Sequence, residues 1–588
     1  EEAERYFSKA LERATKNYTS PRDGEAYYYR GLVSKFLGKY DAAYNDLYKA
    51  TWSYGFHTAA YYHLAEIECM RGNFAIALEH ISRSIATNAW NTKALDLKAA
   101  VLRRLGQFEE AAKVASKVLS GDLFDFWAGN ELYLANSAMG LKKQAAEAIN
   151  TLKVRMRDEV QSYLEMAVDY GNCGLWDDAI EVLSRLDTSI GKNGSTHPMV
   201  YYYLGYFWEK KGGSKKSIRY YKIASKMPPE YCFPFRIESI DVLKTACREN
   251  QQDALAHYYL GNLLYDHQPK EAIREWEKSR AIDDTFATVH RNLGFAYNHT
   301  YNDIPKAIAR MEKAVACDKK DARLFYELDV LYEKGQVPVK KRLELLENNN
   351  KTIVKRDDAF IRKVLLYIQK GKYDKAIELI ENRHFHVWEG GGTVHGAYIN
   401  AHLLRGMNRF KAKQYAEALK DYEAALEYPE NLEKAEPYRG GRACQIHYLV
   451  GTAYEALGDT EKAKSSYDKS VTAKQRREWS ELRYYQGLAF DKLGQENKAN
   501  KMFDGLIEFA KTQADAGMDF FAKFGEQESP EIRMAENHYL LGLAYVGKGM
   551  QRQAKTEFEK ALKLNINHLW ARVQLSEIES QSISADTN

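Results

Sequence analysis

The sequence predicts an all-α solenoid, in which helical hairpins of one design stack along the chain. The first observation behind this is a turn element that returns at a fixed step. Gly38-Lys39-Tyr40-Asp41-Ala42-Ala43 recurs as Gly72-Asn73-Phe74-Ala75-Ile76-Ala77 and as Gly106-Gln107-Phe108-Glu109-Glu110-Ala111, then again from Gly140 and Gly174. Each step is 34 residues. A period of that size means one supersecondary unit copied along the chain. The second observation is that apolar residues between the turns recur at i, i+3, i+4 and i+7, the helical period. The third is the chemistry of the element itself. Its glycine makes a left-handed turn cheap, and a small residue five positions on lets the second helix approach the first.

Composition bounds the answer. A length of 588 residues would ordinarily suggest roughly four domains of about 150 residues, but a stack of hairpins needs no central core. Lys plus Arg number 85 against 81 Asp plus Glu, a net charge of +4, which argues against a nucleic-acid or acidic-membrane partner. No apolar run approaches the roughly 18 residues of a membrane span. Six cysteines (Cys69, Cys173, Cys232, Cys247, Cys317, Cys444) form no C-x-x-C pair, against a zinc ribbon or a thioredoxin-like motif. They read as small apolar fillers between helices, although Cys232 and Cys247 share one insertion and could pair. No cofactor and no metal is expected. Residues 2–11 read as the second helix of a hairpin whose first helix is missing, so the chain looks cut from something longer.

In chain order, residues 1–26 form this half repeat and 27–186 the regular repeats, with first helices at 26–37, 58–71 and 92–105 and second helices at 40–50, 74–86 and 108–119. The segment 187–383 carries repeats interrupted by insertions at 187–198 and 228–253, the second expected to hold an extra helix over 236–249. Within it, Gly212-Gly213-Ser214-Lys215-Lys216-Ser217 lacks the Walker spacing and a preceding strand, so no phosphate loop is read there. At 335–338 a Gly-Gln-Val-Pro run replaces the aromatic turn, with Pro338 placed in the first turn of the next helix. A His/Trp/Gly-rich loop spans 384–397. Repeats resume over 398–564 with insertions at 429–441 and 511–530, and 565–588 supplies a capping helix and tail. All insertions fall between a second helix and the next first helix, which collects them along one edge of the stack, a candidate contact surface. Gly31 and Gly205 each precede a turn glycine by seven residues, where the two helices of a hairpin should cross closely.

Leu-Gly in the first helix, as in Tyr203-Leu204-Gly205, Leu260-Gly261 and Leu293-Gly294, with Gly-x-aromatic at the turn and Ala after it, resembles the tetratricopeptide repeat. The resemblance covers nearly the whole chain and implies a right-handed superhelical solenoid whose first helices line the inner surface. A narrower likeness rests on Phe385-His386-x-Trp388-Glu389-Gly390-Gly391, on Ala424-Ala425-Leu426-Glu427-Tyr428-Pro429-Glu430-Asn431-Leu432 and on Ile446-His447-Tyr448. Lys49-Ala50-Thr51-Trp52, 59–67 and 84–88 fit it too. These resemble a group of bacterial proteins in which a tetratricopeptide region follows a module called domain of unknown function 5107. The usual Pro after His is Val387 here, and the module is absent from this chain. That likeness implies a C-terminal part of a larger protein, with a missing module similar to β-rich carbohydrate-active domains. The compartment, periplasmic or cytoplasmic, is left open.

Two constellations are candidates for function. Trp, His and Glu beside three glycines do not suit a helix interior, and the run 384–392 fits three roles. It is a structural connection with Trp388 filling a gap between hairpins. It is a docking loop with Trp388 as apolar anchor and Glu389 and the histidines as polar partners. Or it ligates metal through His384, His386, Glu389 and His395, at a spacing that matches no standard zinc signature. The second constellation is the tyrosine runs that open first helices. One ring of each packs between repeats, or Tyr28, Tyr62, Tyr202 and Tyr259 line a groove that binds peptide or sugar, with Arg30, Asn262, Arg291 and Asn292 adding polar contacts. Neighbouring carboxylates such as Glu66 and Glu68 do not share a helix face, and no nucleophile elbow or catalytic triad is present.

The expected function is therefore a non-catalytic interaction or scaffold region that docks a protein or peptide, the parent's own N-terminal module included. The alternative is an accessory part of a carbohydrate-active enzyme, with His386, Trp388 and Glu389 reaching a sugar.

Overall fold

The computed structural model describes residues 2–17, 21, 23–186, 197–386, 392–436, 441–475, 478–515 and 530–586. Among the described residues the chain is helical with no strand, and it divides into two units, Glu1–Thr285 and Phe286–Asn588. Each unit is a solenoid of tetratricopeptide-type hairpins. In the first unit, the helix Glu2–Thr15 is followed by the pairs Glu25–Phe36 with Tyr40–Ala50, Tyr54–Met70 with Phe74–Thr87, and Thr92–Arg104 with Phe108–Gly121. The pairs Phe126–Ala138 with Lys142–Met156 and Val160–Asn172 with Trp176–Ser184 complete the regular run. Pro198–Lys210 with Ser214–Ala224 comes next, then the inserted helix Glu238–Glu249, then Ala254–Leu264 with Pro269–Ile282.

The second unit opens with Ala287–Tyr301 and Ile304–Cys317, then Ala322–Lys334 and Val339–Asn348 with a short extra helix Asn350–Ile353. Asp357–Gln369 pairs with Tyr373–Glu381, Gly392–Lys411 with Tyr415–Ala424, and Ala443–Ala456 with Thr460–Thr472. Leu482–Lys492 pairs with Glu496–Asp515 and Pro530–Gly547 with Gln551–Leu564, before a last helix, Leu569–Asp586.

Two glycine positions explain why the hairpins repeat. The turn glycines at 38, 72, 106, 140 and 174 have φ between 69° and 78°, the left-handed region that glycine enters without penalty. The crossing glycines act differently, through space. A Cβ at Gly205, Gly406 or Gly451 would lie 2.5 Å from the ring of Tyr221, Tyr422 or Tyr467, each sixteen residues further on in the second helix. Gly31 with Leu47, Gly487 with Phe503 and Gly542 with Phe558 keep the same interval. An aromatic knob therefore sits in a hole that only glycine leaves open.

Two buried carboxylates are held by basic side chains. Asp329, fully buried, accepts both prongs of the Arg342 guanidinium at 2.8 and 2.9 Å and Arg362 Nε at 2.6 Å. Burial would raise its carboxyl, but the hydrogen bonds from Arg342 and the charge of Arg362 outweigh this and hold it below the usual range. In the first unit Glu66 is buried beside Lys35, and His63 Nδ1 lies 2.5 Å from its carboxylate. There too burial alone would raise the carboxyl, and Lys35 and the His63 hydrogen bond bring it down to about 2.

The structure departs from the sequence expectations in four places. Pro338 is the N-cap residue before Val339–Asn348 and does not lie within its first turn. The 384–397 loop ends early, because a helix begins at Gly392, and His395 lies inside it. All six cysteines are free thiols, so Cys232 and Cys247 are not bonded to each other. The last helix runs to Asp586 and does more than cap the stack.

Candidate functional site

The second unit carries a groove of about 890 Å³, lined mostly by its first helices. Met407, Phe410 and Lys411 line it from Gly392–Lys411, and Tyr448, Thr452 and Glu455 from Ala443–Ala456. Its remaining wall is the chain's own last helix, through Glu577, Ser580 and Gln581. That helix packs on its neighbour Gln551–Leu564 and also reaches far back along the chain. Trp570 Nε1 donates to Asn400 Oδ1 at 3.1 Å, and the Arg442 guanidinium lies 4.7 Å above the Trp570 ring. Lys411 Nζ meets Glu577 at 2.6 Å. Just upstream, Asn567 Nδ2 donates to the Glu333 carbonyl at 3.2 Å and Gln336 Nε2 to the Leu564 carbonyl at 3.1 Å. Ala571 and Ile578 are buried in one apolar cluster with Leu482, Tyr485 and Tyr539. The last helix thus lies across three first helices by an aromatic, an apolar stripe and one carboxylate.

The groove mixes chemistries. Lys492 pairs with Glu455 at 2.9 Å, and the Tyr467 hydroxyl donates to the same carboxylate at 2.6 Å. Lys492 and the hydroxyl together hold Glu455 below the ordinary carboxylate range. Met407, Phe410 and Tyr422 supply an apolar floor between these charged rims.

The His/Trp/Gly segment is placed in part. Trp388 and Glu389 lie outside the described residues. Before them, His384-Phe385-His386 is pinned by the 429–441 insertion. Phe385 N–H donates to the Asn431 carbonyl at 2.8 Å, and the Asn431 side chain donates to the carbonyls of Ile380 and Arg383. Phe385 is buried, with the Phe360 ring 6.1 Å away, while His384 and His386 are exposed. His384 Nε2 meets Glu433 at 2.7 Å. Asp357 accepts from the His386 backbone at 3.0 Å and lies 3.1 Å from its Nδ1. His395 turns elsewhere, 3.0 Å from the Glu427 carbonyl and stacked on Tyr428, and burial lowers its pKa.

Tyr202 and Tyr259 are enclosed, whereas Tyr28 and Tyr62 are half-buried. Tyr202 is fully buried and donates to Asp253 Oδ1 at 2.9 Å, and Tyr203 meets Ser239 at 2.8 Å. Ser239 belongs to the inserted helix and Asp253 to the turn after it, so the 228–253 insertion covers the face that a regular repeat would leave open. Tyr259 is buried against Tyr202, and Tyr28 packs among Tyr29, Phe56 and His63. Tyr62 lies beside His63, and its hydroxyl is pushed far up by burial and by Glu66. Arg291 forks onto Glu327 at 2.7 and 2.6 Å, joining two first helices. The structure brings Tyr202 and Tyr259 together, and separately His384 with His386.

Sequence reading missed two features. One is the seat of Trp570 and Glu577 against Asn400 and Lys411, for which a tryptophan in a supposed capping helix was the only local sign. The other is a convergence of Cys247, His257 and Glu275, whose ligand atoms lie within 4.8 Å of one another, the one such group among the described residues.

The tetratricopeptide repeat family model matches residues 445–476 and 535–568. The chain is similar to the yeast Tom70 crystal structure at 13% identity, covering 84% of this chain and 96% of that one with a TM-score of 0.28. It is similar at 17% identity to YrrB, described as a TPR protein with an unusual peptide-binding site, over 40% of this chain and 92% of that one, with a TM-score of 0.23. The Cut9–Hcn1 hetero-tetramer of the APC/C matches at 13% identity over 97% and 98%, with a TM-score of 0.24.

Proposed function

We propose that this chain is a non-catalytic protein-interaction scaffold whose second unit holds a helical peptide segment on its first-helix face. The supporting observation is the groove of about 890 Å³ that the chain's own last helix walls on one side. The contacts of that helix define the partner's chemistry. It is an amphipathic helix with an aromatic residue and a carboxylate seven positions apart, two helical turns, so that both face one way. The aromatic meets Asn400 and Arg442, and the carboxylate meets Lys411. Such a segment belongs to the module implied by the narrower family likeness or to a separate protein.

The test is fluorescence anisotropy with a labelled peptide spanning residues 565–581. The intact chain carrying Trp570→Ala and Glu577→Gln, which loosen its own helix, should bind this peptide, and the unaltered chain should not. Adding Lys411→Glu should abolish binding. Absence of binding to the loosened chain, or binding indifferent to Lys411→Glu, overturns the reading. Competition by the separately expressed module would assign the partner to the same protein.

A further inference from the structure

We infer that the first unit carries a binding site for a borderline divalent cation of the zinc class, formed by Cys247, His257 and Glu275. The three residues come from three consecutive helices. Cys247 is in the last turn of the inserted helix Glu238–Glu249, His257 is one turn into Ala254–Leu264, and Glu275 is in the middle of Pro269–Ile282. One ligand atom from each lies within 4.8 Å of the other two. Around a single zinc ion, with bonds of about 2.0 to 2.3 Å, ligand atoms stand roughly 3 to 4 Å apart, so small rotations of side chains close the set.

The donor set selects the cation. A thiolate with an imidazole and a carboxylate suits zinc or cobalt and does not suit calcium or magnesium, which take oxygen ligands. Two of the donors are already oriented. His257 Nδ1 lies 2.6 Å from Glu275 Oε2, and Lys278 holds Glu275 Oε1 at 2.7 Å, which leaves Oε2 to face the histidine. On cation binding the His257 proton moves from Nδ1 to Nε2 and the Cys247 proton leaves to solvent, so that thiolate, neutral imidazole through Nδ1 and carboxylate hold the ion.

A second, independent observation points the same way. Asp253 stands one helical turn before His257 and is fully buried. Its Oδ1 is taken by the Tyr202 hydroxyl and the Ala256 backbone, both at 2.9 Å, while Oδ2 is buried with no hydrogen-bond partner. A buried carboxylate oxygen without a donor is costly unless positive charge lies near it. A cation on the triad brings positive charge one helical turn from that oxygen.

The test titrates Co²⁺ into the intact, chelator-treated chain. The expected result is one saturating equivalent, with a thiolate-to-cobalt charge-transfer band and visible bands of four-coordinate intensity, both erased by Zn²⁺. Cys247→Ser should remove the charge-transfer band, while Cys69→Ser leaves it unchanged. Glu275→Gln should weaken binding by about 10-fold or more, the size of effect that even outer partners have on metal affinity. On the unaltered chain, Zn²⁺ should slow alkylation of Cys247, a readout that does not depend on any variant folding. No charge-transfer band, a band that survives Cys247→Ser, or alkylation of Cys247 unaffected by Zn²⁺ overturns the inference.

Discussion

Replacing Asp329 with Asn isolates the energetics of the buried charge cluster. The carboxylate has no exposed surface and neutralises two guanidinium groups, of which Arg342 is 1% and Arg362 13% exposed at the side chain. The amide keeps the volume and one acceptor but removes the charge. Breaking a buried pair by removing one partner costs about 3 to 5 kcal/mol, because the other charge stays buried. Glu333 moderates this, since it lies 2.7 Å from Arg362 and 3.5 Å from Arg342 and is 37% exposed. The lower end, about 3 kcal/mol, is the expected cost. Global unfolding of a repeat array is not two-state, so the proper readout is amide hydrogen exchange in Ala322–Lys334, Val339–Asn348 and Asp357–Gln369. At 1.36 kcal/mol per decade the loss corresponds to about 150-fold lower protection in those helices, with Ala443–Ala456 unchanged. Replacing Asp329, Arg342 and Arg362 together by Leu, Met and Leu should recover most of it. Protection in Asp329→Asn within about 0.5 kcal/mol of the parent, the scatter of an ordinary surface change, would refute the reasoning.

Glu66 makes an acid-labile contribution to the first unit. Its folded value of about 2 lies below the unfolded value of about 4.3, so its contribution is fully present above the unfolded value and is lost as pH falls toward 2. Acid titration of the chain and of Glu66→Gln, followed by exchange in Tyr54–Met70, should show the parent losing protection below about pH 4 while the variant begins lower and changes little. Gly451→Ala should destabilise its hairpin despite the better helix former. Overpacking costs about 1 to 3 kcal/mol against about 1 kcal/mol gained in propensity, and the Tyr467 ring cannot swing away while its hydroxyl is bonded to Glu455. Tyr467→Leu should relieve it in a denaturation series. Lys411→Glu should raise the rate of proteolytic cleavage after Leu564 and Glu577→Lys in the same chain should restore it. The pair is half exposed at Lys411, so the effect is about 0.5 to 1 kcal/mol.

Much of the fold was legible because its determinants are local. The turn glycines announce themselves by a fixed step, and their φ values follow from the hairpin they close. The crossing glycines at 31 and 205 are legible as close approaches, whereas their partners sixteen residues on, such as Tyr221 for Gly205, follow from the packing. The tyrosine runs left packing and groove lining both open for a physical reason. Three consecutive helical residues point in three directions, and Tyr201, Tyr202 and Tyr203 are all buried only because the 228–253 insertion covers the remaining face. Cys247, His257 and Glu275 sit on three helices at intervals that match no motif, so only the packing brings them together. The seat of Trp570 on Asn400 joins residues 170 apart, a distance no periodicity reports.

The glycine and its aromatic partner act as a vernier between the two helices of a hairpin. A helix advances about 100° per residue, so removing one residue from the turn would swing the ring a quarter of the way round and off its hole. Within a hairpin the chain can therefore change length only by re-cutting the gear. Gly261 shows such a re-cut, meeting Trp276 after fifteen residues with a larger ring in place of tyrosine. Between hairpins the glycine–ring contacts keep no common interval, Gly171 meeting Phe207 and Gly547 meeting Phe503, so lengthening there breaks no shared register. That is where 228–253 and 429–441 were accepted, one bringing Cys247 and the other Asn431, and it is where a grafted segment would be tolerated with least cost to the stack.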